Sequence, residues 1–138
     1  MYLIDTNVIS EARKGTHANP GVREFFRRAD VAKLPTFLSV VTIGELRRGV
    51  EIIRHRGDIS QAEMLEKWLS ALLTTHEESI LDIDCDIAQV WGRLRVPNYQ
   101  NALDKLIAAT ALIHGLTIVT RNESDFSGTG AQVLNPFA

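Results

Sequence analysis

Short apolar runs separated by longer segments of helical periodicity dominate the pattern of the chain. The runs are rich in β-branched and aromatic residues, as buried strands are. Because each intervening segment is longer than a tight turn, the alternation predicts a parallel sheet with helices on both faces. The predicted strands are residues 2–4, 37–41, 80–83, 116–119 and 131–134. The predicted fold class is α/β.

The segments between these strands carry the signals of helix starts and ends. The first helix is predicted to begin at Asn7 or Val8, and Asn19 can cap a second helix that follows it. The third and fourth predicted helices follow each other without an intervening strand, and both have an apolar stripe. The remaining predicted helices are residues 42–56, 60–78, 84–94 and 101–114.

The composition fits a single domain over residues 1–138. The chain has 45% hydrophobic and 23% charged residues, and domains commonly contain roughly 100–150 residues. No apolar run approaches the roughly 20 residues of a membrane-spanning helix, so we expect a soluble, cytoplasmic protein without membrane association. The single cysteine, Cys85, and four scattered histidines offer neither an internal disulfide nor a zinc-ligand spacing.

Arginine is concentrated in one segment, although the formal net charge of the chain is −2. A nucleic acid would therefore be held by a local basic patch, for which guanidinium groups are well suited. The alternative is a solvated helix face, on which Glu45 pairs with Arg48 and Glu51 pairs with Arg54. The arginines of this segment are Arg47, Arg48, Arg54 and Arg56.

Polar residues close after the predicted strands are the candidate functional groups, because ligand sites in parallel sheets lie beyond the carboxyl ends of the strands. Asp5 follows the first strand, and Glu45 lies soon after the second. Asp104 begins the helix that leads into the fourth strand. The residues after that strand include Thr120, Arg121, Asn122 and Asp125. We expect all of these residues to meet at one rim of the sheet.

Each acid also has a purely structural interpretation. Asp5 can cap the helix that follows it, and Glu45 can complete a capping box with Thr42, three residues earlier. Asp104 can be a first-turn acid that the helix dipole stabilises, and Asp125 can be an ordinary turn residue. For each residue taken alone, both interpretations stand.

The expected convergence of three or four carboxylates calls for a positive group among them, because like charges at one site repel each other. A divalent cation is the natural counter-charge, and oxygen ligands without cysteine or histidine indicate Mg²⁺ or Mn²⁺. Such an ion can activate water to attack a phosphodiester and offset charge on the leaving oxygen. This chemistry needs no protein nucleophile.

Four segments, in the correct order, resemble the motifs of PIN-domain ribonucleases of the VapC and FitB type. The chain also has Asn135-Pro136-Phe137 just before its last residue, which resembles the end of FitB-like chains. The resemblance covers almost the whole chain. The four segments are residues 2–10 (YLIDTNVIS), 42–49 (TIGELRRG), 104–111 (DKLIAATA) and 119–126 (VTRNESDF).

The resemblance implies a three-layer α/β/α sandwich and a Mg²⁺-dependent endoribonuclease. It also implies the toxin role in a type II toxin–antitoxin pair, a homodimer, and a VapB-like antitoxin whose tail lies in the active-site groove. The implied catalytic and metal-binding acids are Asp5, Glu45, Asp104 and Asp125, supported by Thr6, Thr120 and Asn122. The residues expected to bind RNA or the antitoxin are Arg47, Arg48 and Arg121.

The fourth motif departs from part of the family. Some relatives have an acid directly after Thr-Arg, where this chain has Asn122, and others resemble Asn122 with a later acid like Asp125. Asp125 is therefore the expected fourth acid. Asn122 and Thr120 are expected to position a metal-bound water.

Two other functions fit parts of the pattern. A phosphorylatable receiver domain also has acids at strand ends, and Asp82 or Asp84 would then accept the phosphoryl group. A receiver needs a lysine after its fifth strand, however, where this chain has Asn135-Pro136. The second alternative is a catalytically silent PIN-like protein that keeps the fold and binds without turnover.

Two further segments are interpreted as structural. The run from Asp82 to Asp86 could be a metal site. We interpret it instead as the end of a strand, a helix cap at Asp84 and an acid in the first turn of that helix. We interpret the face formed by Trp68, Leu69 and Leu72 as core, with a contact to a second subunit or to the antitoxin as the alternative.

Overall fold

The strands form a five-stranded parallel sheet. They are β1 (Tyr2–Ile4), β2 (Thr36–Ser39), β3 (Ile80–Leu81), β4 (Thr117–Val119) and β5 (Val133–Leu134). In the computed structural model, which describes residues 1–138, their order is β3-β2-β1-β4-β5, and every neighbouring pair is parallel. The predicted α/β class is therefore confirmed, and β1 lies at the centre of the sheet.

Six helices connect and cover the strands. They are α1 (Thr6–Ala12), α2 (Pro20–Val31), α3 (Val40–His55), α4 (Ile59–Thr75), α5 (Cys85–Leu94) and α6 (Ala102–His114). Short 3-10 turns lie at Gly15–His17, Glu77–Ser79 and Glu123–Phe126. The helices α3 and α4 follow one another without an intervening strand, as the sequence predicts. None of the helices combines the length and the apolar character needed to cross a bilayer.

Alternate side chains of the strands point into two cores, one on each face of the sheet. Ile4, Leu38 and Val119 lie in one core, which α1, α2, α3 and α4 complete. Leu3 and Ile118 lie in the other core, which α6 covers with Ile107, Ala108 and Ala111. The sheet is thus sandwiched between two helical layers, as the three-layer prediction requires.

The second strand ends before the predicted residue 41, because Ser39 starts a helix. Its Oγ accepts a hydrogen bond from the backbone N–H of Val41 at 3.1 Å, which caps α3. Val40 and Val41 are helical despite their β-branched side chains, since the cap and the packing outweigh intrinsic propensity. Thr42 therefore lies buried inside the first turn, and the predicted capping box with Glu45 does not form.

The remaining boundaries differ by small amounts from the predicted ones. The helix α1 begins at Thr6, one residue before the predicted start, because Asp5 already serves as its cap. The largest difference is at α4, which ends at Thr75 rather than at residue 78 and gives way to a 3-10 turn. Helix ends commonly tighten in this way, since their last carbonyls have no partner in the helix.

The two segments interpreted as structural have that role. Asp84 Oδ1 accepts a hydrogen bond from the backbone N–H of Ile87 at 2.9 Å and caps α5. Leu69 is fully buried and Leu72 nearly so, and Trp68 packs against the same core. The apolar face of α4 therefore covers the sheet.

Candidate active site

Asp5 stands directly after the central strand and is 6% exposed. Its Oδ1 accepts a hydrogen bond from the backbone N–H of Thr6 at 2.8 Å, so it caps α1 as the structural interpretation predicts. Its Oδ2 accepts from Thr120 Oγ1 at 2.8 Å and from Asn7 Nδ2 at 3.3 Å. A carboxylate offers about four lone-pair positions, so these three bonds leave one for a further ligand.

Asn7 links the first motif to the loop after β4, a role that the sequence reasoning missed. Its Nδ2 donates to Thr120 Oγ1 at 3.2 Å, and its Oδ1 accepts from the backbone N–H of Arg121 at 3.0 Å. Asn122 contributes its backbone N–H, which donates to Thr120 Oγ1 at 3.1 Å. The only sequence signal for this role is the position of Asn7 in the first motif, two residues after Asp5. This network fixes the loop against the carboxylate of Asp5.

Glu45 reaches the site from the second turn of α3. Its Oε1 accepts a hydrogen bond from Thr6 Oγ1 at 2.9 Å, so Thr6 touches both Glu45 and, through its backbone, Asp5. The predicted ion pair between Glu45 and Arg48 is absent. Glu45 is thus directed towards the strand ends rather than along its own helix.

Burial raises the pKa of Asp5, and the nearby negative charge of Asp125 raises it further. The hydrogen bonds from Thr120, Thr6 and Asn7 act in the opposite direction, because they stabilise the ionised carboxylate. Of these opposing effects the loss of solvent is the largest. Asp5 is therefore a carboxylate whose negative charge the fold stabilises only in part.

Asp104, in the first turn of α6, shows that four acids share this region. Burial and, to a smaller extent, the negative charges of Asp5, Asp125 and Glu45 together raise its pKa from the usual 3.8 to about 6. Asp125, in the 3-10 turn after β4, acts in this way on both Asp5 and Asp104. The structure therefore brings Asp5, Glu45 and Asp125 into electrostatic range of Asp104 at the carboxyl end of the sheet.

The chemistry of the donor set fits a hard divalent cation. All four acids offer oxygen, the preferred ligand of Mg²⁺ and Mn²⁺, and neither cysteine nor histidine is among them. No three of the chain's histidine, cysteine, aspartate and glutamate side chains, however, are already grouped closely enough to hold a metal ion. Binding of a cation would require these acids to approach one another further, which their mutual repulsion opposes until the positive charge is present.

The arginine segment divides into paired and unpaired side chains. Arg47 makes a bidentate ion pair with Glu66 of α4, with both N–O distances at 2.7 Å. Arg54 contacts Glu66 at 3.2 Å and also pairs with Glu51, as the solvated-face interpretation predicts. These ion pairs join α3 to α4. The guanidinium of Arg47 is therefore already engaged within the protein.

Two arginines near the site form no ion pair. Arg48 is exposed on α3, three residues after Glu45, and Arg121 is exposed in the loop directly after Thr120. Neither has a carboxylate within salt-bridge distance. Their guanidinium groups are available to a ligand that carries negative charge.

Together, the fold and the site define an α/β sandwich with a four-acid, oxygen-only site at the carboxyl end of its parallel sheet. The PIN domain family model matches residues 2–131. The chain is 33% identical to the plasmid stability protein StbB of Pseudomonas syringae pv. tomato, 30% identical to the toxin FitB of Neisseria gonorrhoeae, and 32% identical to the VapC ribonuclease Y4jK of Sinorhizobium fredii. These matches cover 99% of this chain and 98–99% of each relative.

The fold is also that of a solved relative. The crystal structure of FitAcB from Neisseria gonorrhoeae superposes with a TM-score of 0.82 at 30% identity, over 99% of this chain and 98% of that one. The chain belongs to the PIN-domain family. The ribonucleases of this family depend on a metal ion. The match leaves the receiver alternative without support, and the carboxylate of Asp84 is already engaged as the cap of α5.

Proposed function

We propose that this chain is a Mg²⁺-dependent endoribonuclease and the toxin of a type II toxin–antitoxin pair, with residues 1–138 forming one PIN-like domain. The observation that carries the proposal is the partly destabilised carboxylate of Asp5, buried at the end of the central strand beside three further acids. The relatives support it, because one is a ribonuclease and another a toxin.

The proposed metal ligands are the four acids, of which Asp5 is buried, Asp104 and Asp125 are half-buried and Glu45 is exposed. The donor chemistry favours Mg²⁺, with Mn²⁺ as a substitute. When bound, the ion supplies an acidified water and offsets charge on the scissile phosphate. The ligands are Asp5, Glu45, Asp104 and Asp125.

The surrounding polar residues orient these ligands. Thr120 and Asn7 hold Oδ2 of Asp5, while Thr6 holds Glu45 through its hydroxyl. Fixed hydrogen bonds of this kind hold a carboxylate in one orientation before the substrate arrives. We propose Asp125 rather than Asn122 as the fourth acid, because Asp125 alone contributes a charge, and that charge acts on both Asp5 and Asp104.

The exposed arginines supply the phosphate contacts in this proposal. Arg48 follows Glu45 by one helical turn, Arg121 directly follows Thr120, and neither has an ion-pair partner, so both can contribute to neutralising the RNA backbone. Arg47 can join them only by giving up its bidentate contact with Glu66. We therefore expect Arg47 to contribute less to RNA binding than the sequence implied.

The same acids fit the proposed antitoxin. A basic side chain placed among four carboxylates would relieve the repulsion that a divalent cation relieves, and would compete with the cation for the site. This accounts for inhibition by a VapB-like tail lying in the active-site groove. The proposal also includes a homodimer and a cytoplasmic location.

Cleavage of single-stranded RNA by the purified chain tests the proposal. We expect cleavage in Mg²⁺ or Mn²⁺, loss of cleavage in EDTA, and recovery when the metal is restored. Asp5→Asn should remove activity while leaving the circular dichroism spectrum unchanged. Asp30→Asn is the matched control, because Asp30 is exposed at the end of α2 and belongs to no part of the site.

The outcomes separate the alternatives. Cleavage that persists in chelator, or that Asp5→Asn leaves intact, would contradict the metal mechanism. RNA binding without cleavage by the wild-type chain in both metals would favour the catalytically silent alternative.

A further inference from the structure

The last residues of the chain fold back against the beginning of α2. Asn19 Oδ1 accepts a hydrogen bond from the backbone N–H of Ala138 at 3.0 Å, and Asn19 Nδ2 donates to Ala138 O at 3.1 Å. The same Oδ1 also accepts from Gly21 N at 2.9 Å, which caps α2. The side chain of Asn19 thus caps α2 and hydrogen-bonds both the backbone N–H and the backbone oxygen of Ala138.

Gly21 is required for this contact because the tail lies directly over it. A β-carbon at position 21 would lie 2.1 Å from the backbone oxygen of Pro136 and 2.7 Å from the backbone nitrogen of Ala138. These are backbone atoms, so the tail as a whole would have to move. Other helical glycines of the chain, such as Gly92 in α5, have no atom within 4 Å of the equivalent position.

The tail ends beside the loop that follows β4. The guanidinium of Arg121 lies over the ring of Phe137, 5.0 Å from its centroid. Asn135 shapes the turn, because its Oδ1 accepts from the backbone N–H of Phe137 at 3.0 Å and its Nδ2 donates to Arg121 O at 3.5 Å. Phe137 is itself partly buried against the core shared by α1 to α4. The ring is therefore a fixed support for a side chain that is otherwise exposed.

Arg121 in turn is bonded to the acidic site through its backbone. Its N–H donates to Asn7 Oδ1 at 3.0 Å, and the Nδ2 of the same asparagine donates to Asp5 Oδ2. Asn7 thus fixes the backbone position of Arg121, whereas Phe137 of the tail fixes the position of its guanidinium. No carboxylate forms an ion pair with that side chain.

We propose that residues 135–138 form a C-terminal clasp in which Phe137 is a positioning residue that holds the Arg121 guanidinium at the rim of the acidic site for RNA phosphate. This inference rests on the proposed ribonuclease function. It adds a role for the tail, which lies outside the matched PIN segment of residues 2–131. In this proposal the clasp affects RNA binding and not the chemical step, because Arg121 contacts substrate phosphate and forms no ion pair with the four acids.

Steady-state RNA cleavage by tail variants tests the clasp. Phe137→Leu keeps an apolar side chain against the core but removes the aromatic face, and we expect it to raise KM for RNA about two- to fivefold with kcat unchanged. Phe137→Trp restores an aromatic face and should bring KM back towards the wild-type value. In an Arg121→Ala background, Phe137→Leu should cause no further rise, because the residue through which it acts is gone.

A second pair of variants displaces the tail without touching Phe137. Gly21→Ala should raise KM as Phe137→Leu does, since the new methyl group expels Pro136 and Ala138 from their position. Gly92→Ala is the matched control, with the same chemical change in a helix where it meets nothing. If Gly21→Ala does not fold, the Phe137 variants still decide the question.

The position of the Arg121 side chain can be read without activity. In the wild-type protein, proton NMR should show upfield ring-current shifts of the Arg121 side-chain protons, and Phe137→Leu and Gly21→Ala should abolish these shifts. An unchanged KM in Phe137→Leu, or the same rise in KM with and without Arg121, would overturn the clasp while leaving the ribonuclease function in place. A wild-type chain that neither binds nor cleaves RNA would overturn the proposed function instead.

Discussion

Two groups of acidic residues show how differently this fold uses the same side chains. Asp82, Asp84 and Asp86 are close in the sequence and all exposed. The four acids of the candidate site are distributed from position 5 to position 125, yet they act on one another through space. The dense group has the spacing that invites a metal interpretation in the sequence, but only the dispersed group shows carboxylates that raise one another's pKa in the structure.

The difference lies in what each group contributes to stability. Asp84 stabilises the protein, because its carboxylate satisfies a backbone N–H at the start of α5. Asp104 opposes folding at neutral pH, since burial and three nearby carboxylates raise its pKa to about 6. Groups held in an unfavourable electrostatic environment are typical of functional sites. We therefore interpret the first group as structural and propose the second as functional, and four experiments test this comparison.

The largest expected effect is on catalysis. Asp104→Asn should lower the rate of RNA cleavage by at least about 100-fold, because a lost metal contact removes several kcal/mol of transition-state stabilisation. Asp84→Asn should stay within about twofold of wild type, since asparagine caps a helix as well as aspartate does. Initial rates under saturating Mg²⁺ measure both. Comparable losses in the two variants would remove the distinction between the two groups.

Metal binding should stabilise the protein through the dispersed acids only. At a Mg²⁺ concentration about ten times the dissociation constant, the free energy of unfolding should rise by about 1.4 kcal/mol. Thermal melts with and without Mg²⁺ should show this as an increase in Tm in wild type and in Asp84→Asn. The increase should be small or absent in Asp104→Asn, and an equal increase in all three proteins would place the ion elsewhere.

Stability without metal should depend on pH through Asp104. Its pKa is raised in the folded state, so the folded protein binds more protons and stability falls as pH rises from the usual value of 3.8 to about 6. Above this window, Asp104→Asn should be more stable than wild type by about 1 kcal/mol, a value discounted because the residue is partly exposed. The advantage should vanish near about pH 4.

Urea unfolding in EDTA across this pH range measures the effect. Asp86→Asn is the control, because Asp86 lies exposed in the first turn of α5. A stability difference between Asp104→Asn and wild type that does not change with pH would show that packing, not charge, is responsible.

The smallest expected effect belongs to the dense group. Asp84→Ala removes the cap of α5 and should lower the free energy of unfolding by about 0.5–1 kcal/mol, whereas Asp84→Asn should not. Cleavage of RNA by Asp84→Ala should equal that of wild type at a temperature where both are folded. Reduced cleavage in a folded Asp84→Ala protein would show that this group also contributes to the active site.

Much of the fold could be predicted because its signals are local. The apolar runs of the strands, the periodicity of α3 and α4, and the caps at Asn19 and Asp84 all depend on neighbouring residues. The predicted boundary between β2 and α3 is wrong, because two local signals compete there. Val40 and Val41 favour a strand by composition, but the cap at Ser39 makes them helical, which also removed the predicted capping box at Thr42.

Side-chain partners in the site could not be predicted in the same way. Glu45 has Arg48 one helical turn away, but its carboxylate accepts a hydrogen bond from the Thr6 hydroxyl instead, because β1 and β2 are neighbours in the sheet. Arg47 has Glu51 four residues later on its own helix, yet it pairs with Glu66 of α4 instead. These choices depend on which helices pack together and at what offset, which neighbouring residues do not specify.

The sequence by itself determined which residues can carry charge into the site and that they follow strands, since strand and helix signals act over a few residues. Only the tertiary structure decided that Asn7 connects Asp5 to the loop of Arg121, and that Phe137 lies beneath that arginine. The reason is physical: through-space interactions weaken with distance, and only the strand order together with the packing of the helices brings positions 5, 45, 104 and 125 to one end of the sheet.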